Sequence, residues 1–328
     1  MKTAIFREFG PPAENIEIAE SQIPDPGPDQ LRLRIHYSPI HPSDLNLIEG
    51  VYGTRPDLPA CAGGEASASI DATGDQLTND FSPGTPVILP RRPESGTWCE
   101  YLLVSPEEIH PLPQGINLEQ ASMLALNPAT AWGLLELFVP LSEGDWIILN
   151  AANSAVGCCL IQLARERGLK TLALVRREEA VPPLLKLGAD CVLLDNPDSI
   201  VAARDAFGNN PPRLALNGVG GDSALRLMDL LANEGSHVTY GAMSRRSLKV
   251  PNKFLIFKRL TLTGFWVTRW LESAPADQVT AMLSQLAALM KDERLHMPVA
   301  KIFPIADIHS AILAAQADGR QGKILLAF

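Results

Sequence analysis

Between residues 146 and 266 six short apolar runs alternate with helical stretches: WIILN (146–150), TLALV (171–175), CVLLD (191–195), RLALNGV (213–219), HVTYGAM (237–243) and LTLTGFW (260–266). Continuous apolar runs of this length suit strands covered on both faces, and parallel neighbours need a crossover, usually a helix. The pattern therefore constrains this part of the chain to a doubly wound α/β sheet. Between the fourth and fifth runs Ala224, Leu225, Leu227, Met228, Leu230 and Leu231 keep an apolar face at helical spacing. They predict a crossover helix with Gly235 as its C-terminal stop.

The first 120 residues have another texture. Leu31-Arg32-Leu33-Arg34-Ile35 alternates at the period of a half-buried strand, and turn signals such as PDPGPDQ (24–30) recur between short runs. This reads as an irregular, mostly β domain whose loops carry substrate contacts. After Trp266 the segment QVTAMLSQLAALMKDERL predicts an amphipathic helix, and the chain closes on the strand-like KILLAF. At 328 residues the chain fits two domains, or one inserted into the other.

A formal charge of −9 argues against a nucleic-acid partner, because affinity for phosphate backbones comes from clustered Lys and Arg. No uncharged apolar run reaches the roughly 20 residues that span a bilayer, and MKTAIFREFG lacks the apolar core of a signal peptide. These features lead to the expectation of a soluble, cytoplasmic protein with no membrane partner. The five cysteines form no CxxC pair and are odd in number, so reduced thiols are expected.

The first apolar run leads into NAANSAVG (150–157), where a dinucleotide-binding loop belongs. Counting back from Gly157, the glycine fingerprint becomes A-x-S-x-x-G, with Ala152 and Ser154 as small substitutes. Asn153 and Ser154 can donate to phosphate oxygens, with Ala155 and Val156 completing the loop. A plain strand-to-helix turn with a polar N-cap is the competing reading. Nineteen residues past Gly157, where NAD-binding proteins carry an acid for the ribose, stand Arg176 and Arg177. Forked guanidinium groups suit a 2′-phosphate and favour NADPH; Glu178 and Glu179, next in the chain, could instead neutralise them.

With PIHPSDLNLIEGVYG (39–53), LNPATAW (126–132), NAANSAVG, LALNGVGG (214–221), VTYGAM (238–243) and GFW (264–266), the chain resembles the medium-chain dehydrogenase/reductase superfamily. More narrowly it resembles the trans-2-enoyl thioester reductases. The resemblance implies a GroES-like, mostly β catalytic domain from both termini (1–120 and 268–328) around a Rossmann NADP-binding domain (121–267), assembled as a homodimer. It also implies NADPH-dependent reduction of the C=C bond of an enoyl-CoA or enoyl-acyl-carrier-protein thioester. A quinone oxidoreductase and a non-catalytic NADPH-binding protein are the alternatives.

The resemblance also suggests roles for particular residues. Tyr52 matches the tyrosine beside the substrate double bond, as proton donor or polariser. Asn127 and Thr130 match the segment against the nicotinamide, although Asn-Pro is also an ordinary helix entry. Tyr240, Gly241, Ala242 and Met243 line the cofactor; Phe265, Trp266 and Val267 cover it and shape the acyl pocket, unless they are core or interface. Lys323 matches a lysine near the 2′-phosphate, against the alternative of a solvated tail residue. Zinc-bearing relatives place ligands at positions that here hold His41 and Gly64. One ligand of the three required predicts no metal, and His41 reads as a loop histidine bonded to backbone or Asp44.

Overall fold

The computed structural model describes residues 1–77 and 81–328. It divides into two compact units, Asn127–Val267 and the combination of Met1–Leu126 with Thr268–Phe328.

In the unit Asn127–Val267 the six apolar runs form one parallel sheet. Its strands are Trp146–Leu149, Lys170–Val175, Cys191–Leu194, Leu214–Asn217, Ser236–Thr239 and Thr261–Gly264, with spatial order third, second, first, fourth, fifth, sixth. The first and fourth strands are thus neighbours whose connections leave in opposite directions. That is the switch point at which such sheets hold ligands. Ile147, Ile148, Leu149, Leu214, Ala215 and Leu216 are fully enclosed there.

The fifth strand stops at Thr239, earlier than its apolar run suggests. Tyr240–Met243 instead turn over the end of the fourth strand, with the N–H groups of Tyr240 and Met243 donating to the carbonyls of Asn217 and Gly218. The crossover helix spans Gly221–Leu230, and Gly235 is not its stop. Lys258 Nζ donates to the carbonyls of Met228, Asp229 and Leu231 at 3.1, 2.8 and 2.6 Å. The orphan carbonyls of the last turn are satisfied by an ammonium, so a glycine cap is unnecessary.

The other unit carries a seven-stranded sheet. Val299–Pro304, Lys323–Ala327, Leu31–Pro39, Ser67–Thr73, Pro86–Ile88 and His110–Pro111 follow one another, and Tyr101–Val104 also pairs with Leu31–Pro39. Leu31, Leu33 and Ile35 are fully buried, while Arg32 and Arg34 point outward, the alternation expected of a half-buried strand. The C-terminal strand pairs antiparallel with Leu31–Pro39, and this brings Lys323 into the interior. Helix Ala276–Lys291 buries Val279, Met282, Leu283, Leu286 and Met290. A short helix, Val267–Ser273, precedes it and has no clear signature in the sequence. All five cysteines are free, and among the described residues no helix is long and apolar enough to cross a membrane.

His237 sits fully buried in the fifth strand, and neither ring nitrogen has a hydrogen-bond partner among the described residues. Burial pushes its pKa down to about 4. Between that value and the unfolded value of 6.5 the unfolded chain binds the extra proton, so this contribution to stability is complete above about pH 6.5 and fades as pH falls toward 4. Urea unfolding should lose on the order of 1.4 kcal/mol per pH unit in that window. His237→Leu should remove that component of the slope; an unchanged slope in the variant would refute it.

Candidate active site

The carboxyl edge of the parallel sheet is organised by two fully buried asparagines. Asn150 follows the first strand and donates through Nδ2 to Asn217 Oδ1 and Ser223 Oγ, both at 2.8 Å; its Oδ1 accepts the Gly218 N–H at 2.7 Å. Asn217 ends the fourth strand, accepts from the N–H groups of Val219 and Gly220, and donates to Thr239 Oγ1 at 3.1 Å. Ser223 continues the network to Asp195, which Arg226 holds at 2.6 Å. Backbone that turns away from a sheet in the interior must find such partners.

On this edge the loop 150–157 turns into helix Ala155–Glu166, with Ser154 as N-cap accepting the Gly157 N–H at 3.1 Å. The Ser154 hydroxyl also meets the side chain of Tyr240. Ala151 takes a left-handed φ of 48°, a conformation that glycine adopts most readily. Gly157 is irreplaceable for another reason: a Cβ there would lie 2.3 Å from the Ala152 carbonyl oxygen. Asn153 is exposed, and Ala155 and Val156 are half-buried.

Arg176 and Arg177 directly follow the second strand and are exposed. Among the described residues neither forms an ion pair with Glu178 or Glu179. Beyond the fifth strand, Tyr240 buries its hydroxyl beside Ser154 and against Gly218, where a Cβ would come within 2.8 Å of it. Burial raises the phenol's pKa and keeps it protonated. Gly241 is half-buried, whereas Ala242 and Met243 are exposed. Asn127 and Thr130 begin helix Asn127–Glu136, and Asn127 Nδ2 is a buried donor with no partner among the described residues.

The third group divides. Phe265 packs inward, its ring against Gly133 and edge-on to Phe138 at 5.6 Å between centroids. Trp266 is 40% exposed, and Val267 is buried at the start of the next helix.

In the unit that contains both termini, Tyr52 follows helix Pro42–Glu49. Gly50 ends that helix with φ 75°, and the Tyr52 N–H donates to the Asn46 carbonyl at 3.2 Å. The ring is half-buried against a core that includes Phe6 and Ile48. His41 caps the start of the helix; its backbone N–H donates to Asp44, which Arg92 pairs at 3.2 Å. The imidazole has other partners, Glu65 Oε1 at 2.6 Å and Lys323 Nζ at 2.7 Å. Lys323 is therefore neither a solvated tail lysine nor an exposed cation for phosphate.

A catalytic zinc does not fit this donor set. Both His41 ring nitrogens are engaged, Gly64 offers no side chain, and among the described residues no cluster of three His, Cys, Asp or Glu could hold an ion. Asn150, Asn217, Gly218 and Glu65 escaped the sequence reading. The signal for the first three is a polar or glycine residue ending an apolar run, and for Glu65 the triplet Gly63-Gly64-Glu65.

Residues 27–114 match the alcohol dehydrogenase GroES-like domain, and residues 155–287 match the family described as zinc-binding dehydrogenase. The mitochondrial enoyl-(acyl-carrier-protein) reductase of Arabidopsis thaliana is 35% identical over 333 residues, covering 100% of this chain and 88% of the relative. The human protein of the same description is 35% identical over 331 residues, covering 99% and 88%. The chain belongs to the enoyl-(acyl-carrier-protein) reductase family. It lies within the medium-chain dehydrogenase/reductase superfamily, and its GroES-like and Rossmann parts are those of that family.

Three solved structures place the fold alongside. The Etr1p complex with NADP and crotonyl-CoA superposes with TM-score 0.91 at 25% identity, covering 100% of this chain and 99% of that one. The mitochondrial 2-enoyl thioester reductase Etr1p/Etr2p heterodimer from Candida tropicalis gives 0.90, also at 25% and with the same coverage. A quinone oxidoreductase of Pseudomonas syringae gives 0.87 at 22% with full coverage of both chains, a likeness of fold alone.

The relatives' compartment corrects one expectation. They are mitochondrial proteins, which overturns the cytoplasmic assignment. That assignment rested on the lack of an apolar leader, and transit peptides are amphipathic and Arg-rich, so the criterion does not separate the two compartments.

Gly157→Ala should drive the helix off the first strand. We expect a loss of about 1–3 kcal/mol in denaturant unfolding, the usual scale of overpacking, together with weaker dinucleotide binding. Wild-type stability and affinity in the variant would show that the loop relaxes freely.

Proposed function

We propose that this chain reduces the C=C bond of 2-enoyl thioesters, carried on CoA or acyl carrier protein, with NADPH as reductant. The observation that carries the reading is Tyr52, a phenol held at the end of helix Pro42–Glu49 in a chain related along its whole length to enoyl reductases. When bound, NADPH supplies the hydride that adds at Cβ. The thioester carbonyl draws the displaced electron pair toward Cα and oxygen. Tyr52 donates to that developing charge, as the proton source at Cα or as its hydrogen-bonding polariser.

The sheet's carboxyl edge suits the cofactor. Ser154, Asn153 and the N–H groups of Ala155 and Val156 at the helix N-terminus receive the pyrophosphate. Arg176 and Arg177, without an ion pair among the described residues, take the 2′-phosphate. The unpartnered Asn127 Nδ2 fits the nicotinamide carboxamide, with Thr130 beside it on the first turn. Tyr240–Met243 and Trp266 border the cofactor, while Phe265 supports helix Asn127–Glu136 from inside. Orientation of this kind is catalytic in its own right, since misplacement by about 1 Å can cost about 10²-fold.

A second copy of the chain is the assembly partner we propose. The sixth strand is an exposed sheet edge, and Leu255, Ile256 and Phe257 are 45%, 63% and 78% exposed nearby in sequence. Such a surface is one that association covers. Phe257→Glu should then shift the mass in light scattering from dimer to monomer.

Crotonyl-CoA should support NADPH oxidation, whereas 1,4-benzoquinone should not; turnover of the quinone alone would refute the proposal, and NADPH binding without turnover of either would mark a non-catalytic protein. Tyr52→Phe should lower kcat by about 10²–10⁴. Replacing both Arg176 and Arg177 with Ala should raise KM for NADPH on the order of tenfold or more and leave that for NADH near its starting value.

A further inference from the structure

Glu65 is 1% exposed and its carboxylate is used on both sides. Oε1 meets His41 Nε2 at 2.6 Å, and Oε2 accepts the Leu126 N–H at 2.8 Å; the Ala125 N–H also donates to this carboxylate. Beyond the imidazole, Lys323 Nζ lies 2.7 Å from His41 Nδ1. An ammonium has only protons to give, so Nδ1 accepts and the single ring proton sits on Nε2, donated to Glu65. Donation thus converges on Glu65, from Lys323 through a neutral His41 on one side and from two backbone N–H groups on the other.

Those two N–H groups belong to the residues immediately ahead of helix Asn127–Glu136. Asn127, whose buried Nδ2 has no partner among the described residues, is the next residue. We propose that Glu65 is a positioning residue: its carboxylate, charge-balanced by Lys323 through His41, fixes the Ala125–Leu126 backbone and thereby aims Asn127 at the cofactor. The identity of that cofactor rests on the function proposed above.

The surrounding charges agree with an ionisation that binding can sense. Burial, reinforced by Asp44, pushes the Glu65 carboxyl up to about 8, while Lys323 and the two N–H groups pull it down. Burial keeps His41 neutral, with Lys323, Arg92 and Arg320 acting in the same direction. Asp44 is raised by burial and held back by Arg92 and Lys323. The carboxylate form is the one that grips the backbone, so affinity for the cofactor should weaken as pH falls through about 8.

Glu65→Gln keeps the volume and removes the charge. We expect the NADPH dissociation constant, measured by fluorescence titration from pH 7 to 9.5, to rise about tenfold and to lose its limb near pH 8. Hydrogen exchange at the amides of Ala125 and Leu126 should quicken in the cofactor-free protein. Lys323→Met, a second variant should the first not fold, should move the limb to higher pH, because the opposing ammonium is gone. Wild-type affinity at every pH together with unchanged exchange would overturn the proposal. A wild-type chain that does not bind NADPH refutes the proposed function instead, and exchange at Ala125 and Leu126 then still decides the role of Glu65.

Discussion

A parallel sheet that binds a ligand at its carboxyl edge has to leave its strands abruptly, and the backbone groups exposed there need partners that are not strands. Asn150 and Asn217 meet that need. One fully buried amide contact between them links the ends of the first and fourth strands, and their remaining donors and acceptors take the Val219, Gly218 and Gly220 N–H groups, Ser223 and Thr239. With those turns fixed, Ser154 can cap the cofactor-side helix and Tyr240 can rest on Gly218. The turns after the first and fourth strands thus follow from a few hydrogen bonds between side chains and backbone.

Much of this unit is legible from residue pattern because its physics is local. Apolar runs mark covered strands, and a glycine survives at 157 because a carbonyl occupies the space where Cβ would go. Ends are less legible. The fifth run continues past Thr239 because the Tyr240 hydroxyl is buried, although its backbone has already turned. Gly235 misleads for a similar reason: the helix C-terminus is satisfied by Lys258, 27 residues or more along the chain, and no neighbouring residue announces that.

The other unit depends on contacts that no window of sequence contains. Lys323 and His41 are 282 positions apart, and only the pairing of the last strand with Leu31–Pro39 brings them together. Read alone, Lys323 is a tail lysine and His41 a loop histidine. The resemblance to a family of reductases locates both near the site but says nothing of their bonding to each other. Glu65 shows the limit most clearly, since the triplet Gly63-Gly64-Glu65 marks its place but not the partners of its carboxylate, one of the most enclosed charges among the described residues.

The buried charges also bear on the metal-free reduction proposed above. A zinc ion would bring a double positive charge and would demand ligands that these residues do not provide. With Glu65 ionised, the Lys323–His41–Glu65 chain brings one positive and one negative charge, close to neutral overall, with the hydrogen bonds of the imidazole and carboxylate satisfied. Such a pair gives little polarising power to a substrate, but an isolated buried charge would be far more costly than a satisfied one. A thioester-activated double bond asks for little polarisation, because its own carbonyl withdraws the electrons. What it needs is geometry, and a fully hydrogen-bonded buried network is suited to hold geometry rather than to supply Lewis acidity.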